Sequence, residues 1–367
     1  MTIKIREIES YNEFIDLKEL WQNLLLKSDH TVFSTWEWLT VWWKHFGKDK
    51  KLLLLLAEEN EKPLGIAPLM YSVSNVFGFR TAKIEFIGTP NSDYNNFILT
   101  ERTGQCITLF LDYINEVFQE KWESIELNDV PETSPTAHFL QKREGHLQTV
   151  SSRVLHECLY IQLPKSYDYL YSQLHYKFRQ NLRRSMHNLE QQHKVELTDF
   201  STTQRSVDGM EKLFELHQKR WKATGEPGAF ADPKIRQFNL DVAQTFAQQG
   251  WLSLSSLDVD DIPVASSYGF KYNSKFYYYL HGVDPVYHRY SVGNLMVSSL
   301  LKKCIEDQLK EFDFLRGAES YKYRWTTSSR KNYNFIITKR KVIARAKNRF
   351  LRTYSFQVKK LKGSLKK

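Results

Sequence analysis

The stretches "LLLLLAEENEKPLGIAPLMYS" (residues 52–72) and "WLSLSSLDVDDIPVASSYGFK" (residues 251–271) share one pattern. Each has a strand-like run, an acidic polar turn, a proline followed by an aliphatic and a small residue, and a second strand-like run. The prolines are Pro63 and Pro263, 200 residues apart. Such turn residues followed by proline are typical of a hairpin. Because the hairpin recurs at a domain-sized offset, the sequence predicts duplication of a mixed α/β unit.

Helical patterns precede both hairpins. Before the first, "FSTWEWLTVWWKHFG" (33–47) has apolar residues at helical spacing and a glycine stop. Before the second, helices are predicted over 177–194 and 207–221, and Asp232-Pro233 provides the N-cap and first-turn proline of a third. The turn-rich segment "NDVPETSPTAHFL" (128–140) is expected to be a surface loop between the halves.

The second hairpin is followed by a strand, a loop, a helix and another strand. The strand "KFYYYLHGVDP" (275–285) leads into "VYHRYSVGNLMVSSLLKKCIED" (286–307), a loop that enters a helix, and "FDFLRG" (312–317) is the next short strand. The unpaired N–H groups and the positive dipole end at such a helix N-terminus favour phosphate. The sequence therefore predicts a phosphate-binding loop before this helix.

Composition sets limits on the class of protein. The 367 residues are 41% hydrophobic and 14% aromatic, which predicts a folded chain with a sizeable core. The first twenty residues have no apolar leader segment, and the longest apolar run, "LLLLLA" (52–57), is too short to span a bilayer. Three widely spaced cysteines without metal-ligand spacing predict reduced thiols, no metal site and a cytoplasmic location.

The net charge of +10 comes from the C-terminus. Residues 339–367 hold twelve Lys or Arg and no Asp or Glu, so the remainder of the chain carries a net charge of −2. Apolar residues in this tail recur at steps of three and four between the basic ones, which predicts a basic amphipathic helix. Three interpretations stay open, in order of preference: packing on the body, peripheral contact with an anionic membrane, and contact with RNA.

The loop around "HRYSVGNLM" (288–296) offers candidate phosphate ligands. His288 and Arg289 carry suitable charge, and Gly293 allows a ligand to approach the backbone closely. Ser291 or Asn294 could cap the helix. An ordinary capped helix with one glycine explains the same residues.

Two further segments carry candidate side chains. In "HQKRWKATGEPGAF" (217–230), Arg220 suits a phosphate or carboxylate, while Trp221 and Phe230 suit an aromatic wall. In the strand "FYYYLHG" (276–282), Tyr279 is a candidate substrate contact and His281 a candidate general base. Core packing and a polar strand end are the alternatives for these residues.

The stretch "FDFLRGAESYKYRW" (312–325) places reactive groups just after a strand. Asp313 falls on a face that is usually buried, so it needs a partner. Glu319 and Lys322 lie three residues apart after the strand. A carboxylate can accept the proton of an amine nucleophile, and a lysine can stabilise an oxyanion. A surface ion pair is the alternative interpretation.

Taken in order, five stretches resemble the cellulose-biosynthesis acetyltransferase branch of the GNAT superfamily: "FSTWEWLTVWWKHFG", "KFRQNLRRSMHNLE", "HQKRW…GAF", "VYHRYSVGNL" and "FDFLRGAESYKYRW". The resemblance covers roughly residues 30 to 330. The branch is related to the Fem-type aminoacyltransferases, which also have two GNAT-like domains. The fold implied is α/β, with tandem GNAT-like domains built on mixed central sheets flanked by helices.

The resemblance also implies a domain division. It gives a degenerate N-terminal GNAT-like domain over 1–165, a C-terminal GNAT domain over 166–338 that binds the donor, and the basic tail over 339–367. Such enzymes transfer an acyl group from acyl-CoA to an amine without a metal. Acetyl-CoA or another acyl-CoA is therefore the expected donor substrate.

The resemblance implies site residues as well. The donor's pyrophosphate is expected at the loop formed by His288, Arg289, Tyr290, Ser291, Gly293 and Asn294. Only Gly293 remains of the glycine pattern usual in GNAT loops. Tyr321-Lys322 resembles the "FK" motif of the Fem-type enzymes, whose lysine helps to bind and stabilise the reacting group.

The expected activity is N-acyl transfer to an amino group of a sugar or of an envelope-polysaccharide precursor. Glu319 or His281 is expected to accept the proton, and Lys322 or a backbone N–H to polarise the carbonyl, with Tyr321 beside them. Arg220, Trp221, Phe230, Tyr279 and Asp313 are the expected substrate contacts. Aminoacyl transfer from tRNA, or a non-catalytic role in polysaccharide assembly, are the alternative functions.

Overall fold

The computed structural model describes residues 2–76, 79–118, 121–142, 149–223 and 225–338. Its strands are β1 (Lys4–Ile8), β2 (Lys50–Glu59), β3 (Lys62–Val76), β4 (Phe79–Phe86), β5 (Ile98–Leu99), β6 (Ser124–Pro131), β7 (Thr149–Gln162), β8 (Val195–Asp199), β9 (Leu252–Val259), β10 (Ile262–Tyr272), β11 (Lys275–Val283), β12 (Glu311–Arg316) and β13 (Ser329–Thr338). Its α-helices are α1 (Tyr11–Asp16), α2 (Lys18–Leu25), α3 (Trp36–Phe46), α4 (Thr103–Phe118), α5 (Pro135–Gln141), α6 (Tyr167–Gln173), α7 (Tyr176–Glu190), α8 (Ser206–Ala223), α9 (Pro233–Gln248) and α10 (Val292–Glu306).

The chain falls into two compact units. Over the described residues, the first combines residues 2–30, 49–155 and 333–338, and the second combines Thr31–Lys48 with His156–Asn332. The two units therefore do not follow the predicted limits of 1–165 and 166–338. Residues 31–48 belong to the second unit, and residues 333–338 belong to the first. The predicted limits stay a prediction about independently folding domains, and the basic tail, 339–367, lies outside the described residues.

The first unit is built on a mixed sheet. Strands β1, β2, β3, β4 and β6 lie side by side in that order, and β5 pairs with β3. The pairs are antiparallel except β4 with β6, which run parallel and are connected through α4. The core of this unit includes Leu53, Ile84, Phe110 and Leu127, all fully buried.

The second unit repeats this plan. The order from the end of β7 is β7, β12, β11, β10, β9 and β8. The pairs are antiparallel except β11 with β12, which run parallel and are connected through α10. Its core includes Leu159, Val264, Leu300 and Phe312. Each unit therefore has mixed strand pairing flanked by helices, which confirms the predicted fold class.

The repeated hairpin is the same in both units down to its register. Asn60 and Glu61 form the first turn, Asp260 and Asp261 the second, and all four have positive φ between 48° and 64°. Beyond each turn the proline sits at a register shift, with Glu58 opposite Pro63 and Asp258 opposite Pro263. Two-residue turns with both φ values positive match the twist of antiparallel strands. The duplication predicted from the sequence is therefore present in the backbone.

Helix α3 packs in the second unit. Thr35 caps it by accepting a hydrogen bond from the Trp38 N–H. Phe33, just before the helix, and Trp38 contact the ring of Phe270 on β10 edge-on, at 6.3 and 6.0 Å between centroids. The sequence predicts the helix correctly, but its period of 3.6 residues does not show which sheet the helix covers.

The segment 128–140 is not the surface loop expected from its turn-forming residues. Strand β6 continues to Pro131, Ser134 caps α5, and Ala137 and Leu140 are fully buried. The loop is expected because the segment is rich in turn-forming residues such as serine and proline. These residues are common in turns, but they are also common as the N-cap and the first residue of a helix.

Candidate active site

Strands β11 and β12 diverge to form the candidate site. They pair only at residues 275–277 with 311–313, and then separate. On the other side of β11, a single residue of β10, Gly269, lies opposite two of β11, Tyr278 and Tyr279. A side chain at Gly269 would lie 2.4 Å from the Tyr277 carbonyl oxygen, so only glycine fits at this bulge. The extra residue brings Tyr278 and His281 to one face, where their rings stack at 5.4 Å.

The end of β12 also departs from regular strand geometry. Leu315 has a φ of 60°, and its N–H donates to Asp313 Oδ1 at 2.7 Å. The ammonium of Lys322 donates to the carbonyl oxygens of Arg316 at 3.0 Å and Gly317 at 3.1 Å, with the Leu315 carbonyl at 3.4 Å. Buried backbone carbonyls need such partners where a strand leaves its neighbour. Lys322 thus fixes the loop that begins at the end of β12.

A cavity of about 330 Å³ lies within the second unit, where β11 and β12 diverge. Its walls come from α8, β11, the start of α10 and the loop after β12. The lining residues are Arg220, Tyr278, His281, Val283, Asp284, Pro285, His288, Ser291, Val292, Gly293, Asn294, Tyr321 and Arg324.

The N-terminus of α10 opens into this cavity. Ser291 has left-handed backbone geometry, and its side chain does not cap the helix. Among the described residues, the N–H groups of Val292 and Gly293 donate to no protein group, whereas the N–H of Asn294 donates to the Ser291 carbonyl. Unpaired N–H groups with the positive helix dipole behind them form an anion site. Gly293 lies close to Val283, because a Cβ added there would be 3.3 Å from Val283 Cγ1.

The α8 helix brings Arg220 to His281. Gly282 permits this approach, since a Cβ there would be 2.7 Å from the His217 backbone nitrogen. Arg220 Nη1 lies 3.1 Å from His281 Nε2. A guanidinium only donates, so His281 Nε2 is the acceptor and the ring proton is on Nδ1. Burial, together with the nearby charges of Arg220 and Lys322, lowers the pKa of His281 to about 3.

Tyr321 lies on the opposite wall. Its ring meets that of His281 edge-on at 5.8 Å and that of Phe314 at 6.4 Å. Burial, reinforced by the neighbouring Tyr278 and Glu319, raises the pKa of the Tyr321 hydroxyl well above its usual range. The hydroxyl therefore stays protonated at neutral pH and can donate a hydrogen bond to a ligand.

Basic side chains dominate the mouth of the cavity. Arg220, His288 and Arg324 line it and are exposed. The carboxylate of Asp284 is already engaged, because it accepts from Lys219 Nζ at 3.0 Å and from the Val286 N–H at 3.0 Å. This arrangement suits a ligand that carries phosphate.

The structure brings part of the predicted donor loop to the cavity. His288, Ser291, Gly293 and Asn294 line it. The other two predicted residues pair with each other: Arg289 lies over the Tyr290 ring at 4.6 Å and donates to its hydroxyl, and Tyr290 itself is buried.

Of the predicted substrate contacts, Arg220 lines the cavity and four residues do not. Trp221 donates to His217 Nε2 at 2.9 Å, and Phe230 is buried against the His217 ring at 4.6 Å. Tyr279 packs among the aromatic rings of α3 and β10, and Asp313 is fully buried at the β12 bulge.

The predicted catalytic residues divide in the same way. His281 and Tyr321 line the cavity. Lys322 is 3% exposed, with its ammonium on backbone carbonyls and 2.8 Å from Glu319 Oε2. Glu319 lies on the surface beside Gly317, its side chain 55% exposed. The roles of all four stay predictions.

Sequence reasoning missed Tyr278, Asp284 and Arg324 among the lining residues. A regular strand would turn Tyr278 away from His281, and the bulge opposite Gly269 brings them to the same face. An isolated glycine inside a strand pattern is the available signal for such a bulge. Within the part of the chain that the structure describes, no group of three or more His, Cys, Asp or Glu could hold a metal ion.

Part of the second unit matches a known protein family. Residues 176–323 match the family described as "Acetyltransferase (GNAT) domain". The matched segment includes α7, the hairpin β9–β10 and every residue that lines the cavity except Arg324. No curated protein matches.

Solved structures share the fold across both units. FemX is 11% identical, with a TM-score of 0.63 over 90% of this chain and 96% of that one. The C-terminal domain of a putative lysylphosphatidylglycerol synthetase from Agrobacterium fabrum is 12% identical, with a TM-score of 0.53 over 92% and 95%. A tandem GNAT protein from the clavulanic acid biosynthesis pathway is 9% identical, with a TM-score of 0.52 over 92% and 98%. At these identities the likeness concerns the fold.

Proposed function

We propose that this chain, a GNAT-type acyltransferase, transfers the acyl group of acyl-CoA, acetyl-CoA first among them, to an amino group of a sugar or envelope-polysaccharide precursor. One observation carries the donor assignment. The unpaired N–H groups of Val292 and Gly293 face a cavity whose mouth is lined by Arg220, His288 and Arg324. These groups fit a pyrophosphate. The space between β11 and β12 fits the part of the donor molecule that leads from the pyrophosphate to the thioester.

The chemistry is a direct attack. The acceptor nitrogen bonds to the acyl carbon while the carbon–sulfur bond breaks, so the amine loses a proton and the departing sulfur gains one. We assign the proton donated to sulfur to the Tyr321 hydroxyl, which is neutral and lines the cavity. His281 is a poor base here, because its Nε2 already accepts from Arg220. The amine proton leaves to solvent, or through water to the exposed Glu319, and a proton from solvent restores the Tyr321 hydroxyl once the thiol has formed.

The donor assignment can be tested by calorimetry with acetyl-CoA. We expect saturable binding to the full chain, and turnover when amino sugars such as glucosamine are added. Binding without turnover on any amino-group acceptor would favour the non-catalytic alternative.

Aminoacyl transfer is a second candidate function, favoured by the likeness to FemX, which extends over nearly the whole of both chains. Under this alternative the donor is an aminoacyl-tRNA, and the cations at the mouth contact its phosphates. Turnover with aminoacyl-tRNA, combined with no affinity for acetyl-CoA, would support this alternative against the first.

The acceptor class leads to a proposal about location. No helix in the described part of the chain is long and apolar enough to cross a membrane. We propose that the basic tail, 339–367, makes peripheral contact with the inner face of the membrane, where envelope precursors are assembled. Sedimentation of the full chain with anionic liposomes, against a chain that ends at Thr338, tests this. If both chains stay in the supernatant at low salt, the proposal is wrong.

A further inference from the structure

A second groove runs beside the candidate site, between α6, α7 and α10 of the second unit. Its volume is about 360 Å³. The lining residues are Tyr171, Leu182, Arg183, Met186, His187, Glu190, Leu295, Ser298 and Ser299. None of them lines the cavity between β11 and β12, and the activity proposed above does not yet use this groove.

The groove combines a cation with an apolar floor. Arg183 is exposed on α7 and makes no ion pair with any described residue, so its guanidinium is available to a ligand. His187 lies one turn further along the same helix. Leu182, Met186 and Leu295 supply the apolar surface. Glu190 is the one acid in the lining, and its charge disfavours a highly anionic ligand there.

An aromatic wall of the groove is held in place. The Tyr171 hydroxyl donates to the Arg179 carbonyl at 2.7 Å, which fixes the ring. The neighbouring Tyr167 hydroxyl shares a short hydrogen bond with the Ser298 hydroxyl, which ties α6 to α10. A fixed aromatic ring above aliphatic side chains is a surface on which a flat heterocycle can stack. The groove is therefore complementary to a flat base that carries one phosphate.

The distance between the groove and the start of α10 suggests which ligand it binds. Ser298 follows Gly293 by five residues on α10, which is a rise of about 7.5 Å along the helix. The donor's pyrophosphate is proposed to lie on the Gly293 end. In coenzyme A, the pyrophosphate is joined directly to an adenosine that carries a 3′-phosphate.

We propose that the α7–α10 groove binds the 3′-phosphoadenosine end of the donor, with the adenine beside Tyr171 and the 3′-phosphate on Arg183. This inference rests on the proposed use of acyl-CoA. It makes the groove a determinant of donor choice, because a donor without the 3′-phosphate loses the contact with Arg183.

The test compares coenzyme A with dephospho-coenzyme A, which lacks only the 3′-phosphate. Calorimetry on the full chain should show tighter binding of coenzyme A by about tenfold, the size of one charge-assisted hydrogen bond. Arg183→Gln should abolish this difference by weakening coenzyme A alone. The matched control is Arg184→Gln, which removes an exposed arginine from the same helix. Arg184 is outside the groove lining and donates to Asn181 at 3.2 Å, so its loss should leave the preference intact.

The outcomes separate the two proposals. If both ligands bind the wild-type chain equally, or if Arg183→Gln weakens both by the same factor, the groove assignment is wrong and the donor assignment stands. If neither ligand binds, both proposals fall. A preference that survives in Arg183→Gln and disappears in Arg184→Gln would place the 3′-phosphate outside the groove and also overturn this inference.

Discussion

Tyr321 and Lys322 are neighbours in sequence with different surroundings. The tyrosine lines the cavity, and the lysine is buried among the carbonyl oxygens of the loop after β12. The sequence analysis expects Lys322 to polarise the carbonyl, whereas this contrast leads us to assign the proton donated to sulfur to Tyr321. Each assignment predicts its own pattern of mutant effects.

Tyr321→Phe removes only the hydroxyl. We expect kcat to fall on the order of 100-fold, the usual scale for loss of a general acid, with little change in donor affinity. Steady-state kinetics together with calorimetry would measure both. Tyr323→Phe is the matched control, because its exposed hydroxyl donates to Glu157 and does not line the cavity. Wild-type turnover in Tyr321→Phe would contradict the assignment.

Lys322→Met keeps the length of the side chain but leaves carbonyl oxygens at the end of β12 without their donor. We expect the free energy of unfolding to drop by about 1–3 kcal/mol, with turnover reduced because Tyr321 loses its support. Denaturant unfolding measures the first effect. Glu319→Gln is the control, since it removes only the exposed partner. Unchanged stability with turnover lost would restore Lys322 to the role of polarising the carbonyl.

His281 predicts how stability depends on pH. Its pKa falls from 6.5 to about 3 on folding, through burial and the charges of Arg220, Lys322 and His217. Between these values the unfolded chain binds more protons, so this contribution to stability is complete above about pH 6.5 and is lost as the pH falls toward 3.

The corresponding variant is His281→Gln, whose side-chain oxygen can still accept from Arg220 but cannot be protonated near neutral pH. Between about pH 7 and pH 4.5, the melting temperature of the wild-type chain should fall more than that of the variant. Parallel pH profiles for the two proteins would show that His281 titrates normally in the folded state. His217, whose pKa is lowered to about 4 mainly by burial, contributes to both profiles alike.

At the scale of elements, α10 and α4 occupy matching places, each between the two parallel strands of its unit. Each has glycine as its second residue, Gly293 in α10 and Gly104 in α4. Their surroundings differ: Gly293 lines the cavity, whereas a side chain at Gly104 would touch only Phe139, at an ordinary 3.4 Å. The pair offers a controlled test of the donor loop.

Gly293→Val should place a branched side chain beside the unpaired N–H groups and against Val283. We expect donor affinity to fall by about tenfold or more, because the pyrophosphate can no longer approach the helix start. Circular dichroism should show an intact fold. Gly104→Val makes the same change at the same helix position and should leave donor affinity unchanged. If Gly293→Val binds the donor as tightly as Gly104→Val does, the α10 loop is excluded as the donor site.

For the whole molecule, the two units share a plan but differ at the diverging strands. In the first unit, β4 and β6 pair at 83–85 with 124–126, and the loop that follows β4 lies on the end of β6. Asn95 donates to the carbonyls of Asp129 and Asn128, and Tyr94 is 2% exposed. In the first unit, the loop after β4 therefore fills the place that corresponds to the cavity between β11 and β12 in the second unit.

We therefore expect one donor molecule to bind per chain. Calorimetric titration with acetyl-CoA measures the stoichiometry directly, and Gly293→Val should remove the binding that it reports. A stoichiometry of two would mean that the loop after β4 leaves its place when the donor binds, and that the first unit is not degenerate.

The sequence by itself determined the duplication, both hairpins, the helices α3, α7 and α8, and the start of α9. These features depend on local chemistry: acidic or amide turn residues before a proline, a threonine or aspartate cap, and apolar residues at a period of 3.6. The sequence also located the loop at the start of α10. A helix start of this kind depends only on residues that are neighbours in the chain, so local sequence is enough to predict it.

Only the tertiary structure decided which side chains face the cavity. Tyr278 and His281 share a face because Gly269 on another strand permits a bulge, and the Asp313 carboxylate accepts from the Leu315 N–H because β12 departs from regular strand geometry at Leu315. Lys322 donates to backbone carbonyl oxygens because β12 has left β11 at that point and these carbonyls need a donor. Strand faces and hydrogen-bond partners depend on register between distant segments, and a periodicity of two along one strand cannot encode that register.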